Sequence, residues 1–142
     1  HKRGYKIVIA SNQSGLARGY FDEAALAEMH DKLNLLVENA KGLVSAIFYC
    51  PHSPDAGCSC RKPKTGLLEQ AEAELGISLV DSYFVGDSLK DMQAASAFNM
   101  APILVRTGKG RETELSLSEK LKFKTIVFNN LKSAVRWILA QK

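Results

Sequence analysis

The chain has 142 residues, 46% of them hydrophobic and 24% charged, a balance that suits one ordinary soluble globular domain with a real core. The formal charge of +4 favours anionic ligands, but the basic residues are scattered and do not separate sugar phosphates or nucleic acid from a lysine-rich surface. No stretch approaches the ~20 apolar residues of a membrane span or reads as a secretory signal, so a cytoplasmic protein is expected.

In chain order, His1-Lys2-Arg3-Gly4 reads as the last basic turn of a helix with its glycine stop. A strand follows at once over Tyr5–Ala10 (YKIVIA), so the chain is expected to enter within a βα unit whose earlier strand is missing. Ser11-Asn12-Gln13-Ser14-Gly15 reads as a loop. From Phe21 to about Asn39, the residues Leu26, Met29, Leu33, Leu36 and Val37 recur at helical spacing and are expected to pack in the core. Asp22 and Glu23 suit the first turn, and Gly42 the exit. Val44–Tyr49 is the next strand, leading into a loop rich in Cys, His and Pro. Thr65 caps a helix reaching Leu75, with Gly76 as its terminal glycine. Tyr83–Val85 is a short strand, and Gly86-Asp87-Ser88 turns into a helix from about Leu89 to Phe98. Ile103–Val105 and Thr125–Phe128 are strands, and Leu131–Leu139 is a closing helix. The stretch from Thr107 to about Lys120, polar and basic, is expected to be a mobile loop. Short β-branched runs alternating with helical patterns predict an α/β fold, a Rossmann-like parallel sheet flanked by helices, as a single domain over 1–142.

All three cysteines fall between positions 50 and 60, beside a histidine. Such a clustered, odd set argues for a metal in a reducing compartment rather than for disulfides. Cys50, His52, Cys58 and Cys60 offer three thiolates and an imidazole, the soft tetrahedral set of a closed structural Zn²⁺ site. The C-x-H and C-x-C spacing differs from the paired C-x2-C of common zinc fingers. His1 and His30 read as solvated or packing residues.

Three further groups sit just past predicted strands, where open α/β sheets bind ligands. In Ser11-Asn12-Gln13-Ser14-Gly15, a hydroxyl, amides and backbone N–H groups can hold phosphoryl oxygens. Arg61-Lys62 follows the cysteine loop. Gly86-Asp87-Ser88-Leu89-Lys90-Asp91 is an acidic turn suited to Mg²⁺. Taken singly, each has a plain reading: a turn, a solvated basic pair, and a helix cap at Asp87 or Ser88.

The segments IASNQSGLARG, YCPHSPDAGCSCRKPKTG and YFVGDSLKDMQAA resemble the histidinol-phosphate/heptose-bisphosphate phosphatase group of the haloacid dehalogenase superfamily, through nearly the whole chain. Ser14 favours the heptose branch, because the histidinol branch typically reads Asn-Gln-Asp-Gly there. The resemblance implies a capless haloacid dehalogenase fold and removal of the 7-phosphate of D-glycero-D-manno-heptose 1,7-bisphosphate, a step towards lipopolysaccharide. It implies an aspartate nucleophile that becomes an aspartyl-phosphate and a second aspartate as general acid and base. Ser11 and Asn12 would donate to the transferring phosphoryl, with Gln13 beside the substrate. Lys62 would offset its charge. Asp87 would ligate Mg²⁺, with Asp91 one helical turn away supporting the site. Arg61 and Arg18 would contact the sugar or the non-reacting phosphate.

The family's Asp-x-Asp-Gly motif does not occur in these residues, so this polypeptide by itself is expected to turn nothing over. Histidinol-phosphate hydrolysis and a non-catalytic, zinc-stabilised phosphate-binding module are the alternatives within reach. Action on nucleic-acid 3′-phosphates is disfavoured, because no basic helix face or interleaved aromatics accompany the charge. A monomer acting on a small sugar phosphate, away from membranes, is expected.

Overall fold

A computed structural model describes residues 1–141. Its elements are β1 (Val8–Asn12), α1 (Glu23–Asn39), β2 (Ala46–Cys50), α2 (Gly66–Leu75), β3 (Tyr83–Gly86), α3 (Leu89–Ala97), β4 (Ala101–Val105), α4 (Gly110–Ser116), α5 (Glu119–Lys124), β5 (Ile126–Phe128) and α6 (Leu131–Ala140). The chain divides into two compact units. One contains His1–Arg61 and Gly66–Gly76; the other contains Lys62–Thr65 and everything from Ile77 onward. Every strand pairing is parallel, and the helices supply the crossovers, as the alternation of patterns predicts.

In the first unit β1 and β2 pair in register from Val8 with Ala46 to Asn12 with Cys50. The strand therefore runs past its apolar stretch, and Ser11 and Asn12 are strand residues rather than loop residues. Ladder hydrogen bonds come from the backbone and do not require an apolar side chain, so pairing outlasts the β-branched signal. Asp22 caps α1 by accepting the Ala25 N–H at 2.8 Å. At the other end the left-handed residue is Lys41, with φ 59°, while Gly42 donates its N–H to Val37 O at 2.9 Å.

Helix α1 buries only a narrow stripe. Leu26 is buried, and Leu33 and Val37, seven and eleven residues on, are half-buried along the same line. Met29 and Leu36, expected in the core, are 50% and 58% exposed. At about 100° per residue they lie roughly 60–80° off that line, beyond the reach of the sheet. Helix α2 buries Leu67, Leu68 and Ala71 and ends at Gly76, whose φ of 59° is the left-handed stop expected there.

In the second unit β4 is central, between β3 and β5. Met92, Leu104, Leu117 and Leu121 form one cluster, with Leu89 and Val127 against it. Ile103, Val105 and Ala134 form another with Tyr83, Phe128 and Trp137. Successive β4 side chains thus feed opposite faces of the sheet. The Trp137 ring meets Tyr83 edge-on at 5.8 Å and Phe128 at 5.7 Å between centroids. Each fully buried side chain of this size contributes about 1.5–3 kcal/mol.

The stretch from Thr107 to about Lys120, expected to be a mobile loop, instead holds α4 and the start of α5. Thr113, Leu117 and Leu121, four residues apart, are all buried. Three core positions in a run of Lys, Glu, Arg and Ser are too sparse to raise a periodic signal, yet they suffice to pin two short helices. Ser118 caps the second by accepting from Leu121 N–H.

Arg106, just past β4, is gripped by Glu114 through two bonds of 2.7 Å and donates to Asn129 Oδ1 at 2.8 Å. Hydrogen bonding from Arg106 holds the Glu114 carboxyl below its ordinary range. The stabilisation this gives is present above the unfolded carboxylate value and is lost as pH falls through the lowered one. Glu114→Gln is therefore expected to lower the melting temperature at pH 7 and to lower it progressively less as pH falls through the acid range, from pH 7 to pH 3. Thermal melts at both pH values check this. Among the described residues no helix is long and apolar enough to cross a membrane.

Candidate active site and metal centre

The ligating atoms of Cys50, His52, Cys58 and Cys60 lie within 4.8 Å of one another. Cys50 closes β2 and is buried. The other three stand on the irregular segment that follows. Cys50 Sγ is 3.6 Å from Cys58 Sγ and 3.5 Å from His52 Nδ1, and Nδ1 is 3.3 Å from Cys60 Sγ. A tetrahedron built on Zn–S bonds of about 2.3 Å and Zn–N bonds of about 2.0–2.1 Å has edges of about 3.8 Å (S–S) and about 3.6 Å (S–N). Three of these separations are therefore already close to the spacing that zinc requires, with all four donors inside 4.8 Å, and four protein ligands would close the shell.

The cysteine thiols pull one another's protonation in opposite directions. Burial raises the Cys58 thiol, but the Arg61 backbone N–H and the neighbouring Cys50, Cys60 and His52 side chains outweigh it and bring it down to about 6. Burial and the adjoining Cys50 and Cys58 sulfurs push Cys60 up to about 12. Three sulfurs this close cannot all carry charge unless a metal neutralises them.

In the same unit, Gln13 Nε2 donates to Ser11 Oγ at 3.0 Å, and the Gln13 N–H donates to Cys50 O at 2.8 Å, so the β1 exit is tied to the start of the cysteine loop. Arg18 is exposed on the turn beyond, where its N–H donates to Ser14 O at 3.0 Å. A groove of about 850 Å³ runs between this turn and the metal loop, bordered by Leu16, Phe21, Asp22, Pro51 and His52. Arg61 Nη1 is buried with no hydrogen-bond partner among the described residues, a donor that an anionic ligand oxygen would satisfy.

The second unit holds Lys62, Asp87 and Asp91. Lys62 Nζ lies 2.6 Å from Asp91 Oδ1, with side chains only 11% and 8% exposed, and 5.7 Å from the centroid of the Phe84 ring. The other Asp91 oxygen accepts the Ser88 N–H at 3.1 Å and the Ser88 hydroxyl at 2.7 Å. Ser88 is thus the cap of α3, and Asp91 completes the reciprocal capping box. Gly86 is required here, because a Cβ built on it would stand 2.5–2.7 Å from the Asp91 side chain.

With the cap assigned to Ser88, the side chain of Asp87 is left for other work. Its Oδ2 accepts the Lys109 N–H at 3.0 Å, and its carbonyl accepts the Thr113 hydroxyl at 2.8 Å. Oδ1 has no hydrogen bond among the described residues, which suits an oxygen-seeking cation such as Mg²⁺. Sequence reasoning placed Asp91 near magnesium but missed that it holds Lys62, 29 residues away. The Ser88-x-x-Asp91 spacing signals the capping box but not the lysine. Nothing in the sequence signals Thr113.

Residues 59–134 match the HAD-hydrolase-like family. A D-glycero-β-D-manno-heptose-1,7-bisphosphate 7-phosphatase of Pseudomonas aeruginosa is 46% identical over 136 residues, covering 96% of this chain and 75% of the relative. A protein of the same name from Pseudomonas putida is 44% identical over 97% of this chain and 77% of its own length. Among solved structures, a D,D-heptose 1,7-bisphosphate phosphatase of Bordetella bronchiseptica, complexed with magnesium and phosphate, superposes with a TM-score of 0.92 at 41% identity, over 99% of this chain and 78% of that one. Its counterpart from Burkholderia thailandensis gives a TM-score of 0.74 at 33% identity, over 97% and 77%.

Proposed function

The chain belongs to the haloacid dehalogenase-like hydrolases, and from that premise we propose that it is a magnesium-dependent phosphatase that removes the 7-phosphate of D-glycero-D-manno-heptose 1,7-bisphosphate. Its reaction class is phosphoric monoester hydrolysis. The observation that carries the chemistry is the Lys62–Asp91 pair: an ammonium fixed at 2.6 Å from a carboxylate, nearly out of water. In such a site a cation acts on a developing phosphoryl charge far more strongly than in solvent. Asp91 takes one of the three Lys62 donors and fixes where the others point.

Ser11 and Asn12 donate to the transferring phosphoryl, and Gln13 orients the Ser11 hydroxyl. Arg61, whose buried Nη1 seeks an acceptor, takes the sugar or the non-reacting phosphate; Arg18 assists from the turn after β1. Asp87 holds Mg²⁺, which offsets oxygen charge when bound. The Cys50, His52, Cys58 and Cys60 set holds zinc, which shapes the loop ahead of Arg61. Three thiolates of this kind survive best in a reducing compartment, and we place the protein in the cytoplasm, as a monomer.

Magnesium-dependent phosphate release from heptose 1,7-bisphosphate is expected to exceed release from histidinol phosphate by at least roughly 100-fold in kcat/KM. The comparison is made on the gene product supplied with the Asp-x-Asp pair that these residues do not contain. Equal or faster turnover of histidinol phosphate sinks the heptose reading, and turnover that survives chelation of magnesium sinks the mechanism. Magnesium-dependent phosphate binding without turnover would favour the non-catalytic module.

A further inference from the structure

We propose that the turn from Thr107 to Gly110, together with Thr113, clamps the Asp87 carboxylate in the orientation that accepts the divalent cation. Thr113 is then a positioning residue for the reaction. The proposal rests on the reading of Asp87 as the magnesium ligand.

Asp87 directly follows β3, at a point where its side chain does not cap the next helix, so something else must fix its rotamer. A closed circuit of three bonds does so. The Lys109 N–H donates to Asp87 Oδ2 at 3.0 Å, Lys109 O accepts the Thr113 N–H at 3.0 Å, and the Thr113 hydroxyl donates to Asp87 O at 2.8 Å. Thr113 is only 6% exposed, so that hydroxyl is committed inward. The circuit holds both the carboxylate and the backbone of one residue.

Two glycines let the turn approach this closely. A Cβ on Gly108, which has φ 58°, would stand 2.2 Å from Asp87 Oδ2, and one on Gly110 would stand 1.7 Å from Val105 O. The turn is thereby seated against the end of β4 on one side and the Asp87 carboxylate on the other. With Oδ2 engaged by a backbone donor, Oδ1 is the oxygen presented to a cation. Groups that orient a ligand in this way typically change metal affinity by about 10–100-fold when removed.

The test uses the zinc-loaded protein with Mn²⁺ as the probe, bound ion being read by electron paramagnetic resonance alongside thermal melts. Thr113→Val, which keeps the shape and removes the donor, is expected to weaken Mn²⁺ binding by about tenfold and, in the gene product carrying the Asp-x-Asp pair, to raise the Mg²⁺ concentration for half-maximal activity equally, with kcat at saturating Mg²⁺ largely retained. Thr113→Ser restores the donor and is expected to bind within about twofold of the parent. Folded Thr113→Val with parent-like Mn²⁺ affinity overturns the clamp. If Thr113→Val does not fold, Gly108→Ala decides: weaker Mn²⁺ binding in a folded protein upholds the clamp, and unchanged binding overturns it. Asp87→Asn separates the two readings. Loss of Mn²⁺ there with no effect of Thr113→Val refutes the clamp alone, whereas retained Mn²⁺ refutes the ligand assignment and the clamp with it.

Discussion

In the gene product carrying the Asp-x-Asp pair, Lys62→Met is expected to reduce phosphate release by at least about a thousandfold while costing roughly 3–5 kcal/mol of stability. The two losses have different physical origins and can be separated. Asp91 sits with 8% of its side chain exposed and its partner ammonium at 2.6 Å. Removing that ammonium leaves a carboxylate that the Ser88 N–H and hydroxyl satisfy on one oxygen only. Against the ~5–15 kcal/mol that holds a domain together, an uncompensated buried charge is a large fraction.

The double variant Lys62→Met/Asp91→Asn divides the contributions. Replacing both members of a buried pair with uncharged groups is often close to neutral, so the double variant is expected to recover most of the lost stability. Activity is not expected to return, because the charge proposed to act on the phosphoryl group is still missing. Denaturant titrations give the first quantity and phosphate release the second. A double variant as unstable as Lys62→Met would mean that the lysine acts through packing on Phe84 rather than through charge. One that regains activity would remove Lys62 from the chemistry.

This pair also marks how far the sequence could be read. Residue type spelled out a cluster that could hold a metal, three cysteines and a histidine within positions 50–60 whose ligating atoms the fold brings within 4.8 Å. The parallel α/β plan was equally visible, because β-branched runs such as Ile103–Val105 have no competing helical period. What the residues did not spell was partnership at a distance. Lys62 and Asp91 are brought together only by the fold, and the Thr113–Asp87 bond spans 26 positions. Local patterns failed where tertiary packing overrode them. Helices α4 and α5 rest on Thr113, Leu117 and Leu121 amid charges, whereas the better-looking apolar spacing of α1 leaves Met29 and Leu36 in solvent.

Stripping the metal from the Cys50, His52, Cys58 and Cys60 cluster is expected to lower the melting temperature by roughly 10 °C or more and to open the segment between β2 and α2 to proteolysis. No helix or strand forms over residues 51–65, and Pro54, Asp55, Ala56 and Gly57 are exposed, so the segment has little apolar burial to hold it. On the proposed zinc reading, its order comes chiefly from ligands that a metal draws together. Without the ion, three sulfurs and an imidazole remain within 4.8 Å, an arrangement that crowds lone pairs and charge without compensation. Cys58→Ser removes one ligand and is expected to reproduce the chelated state, including cleavage within the loop. The prediction follows from the site being closed: a structural metal contributes its binding free energy to folding, whereas a catalytic one would leave the fold intact on removal. Chelated protein that melts with the parent and resists protease at Pro54–Gly57 would show that β2 and α2 alone order the loop. Arg61, directly after Cys60, would then be positioned without the metal, and zinc would have no part in presenting it to the substrate.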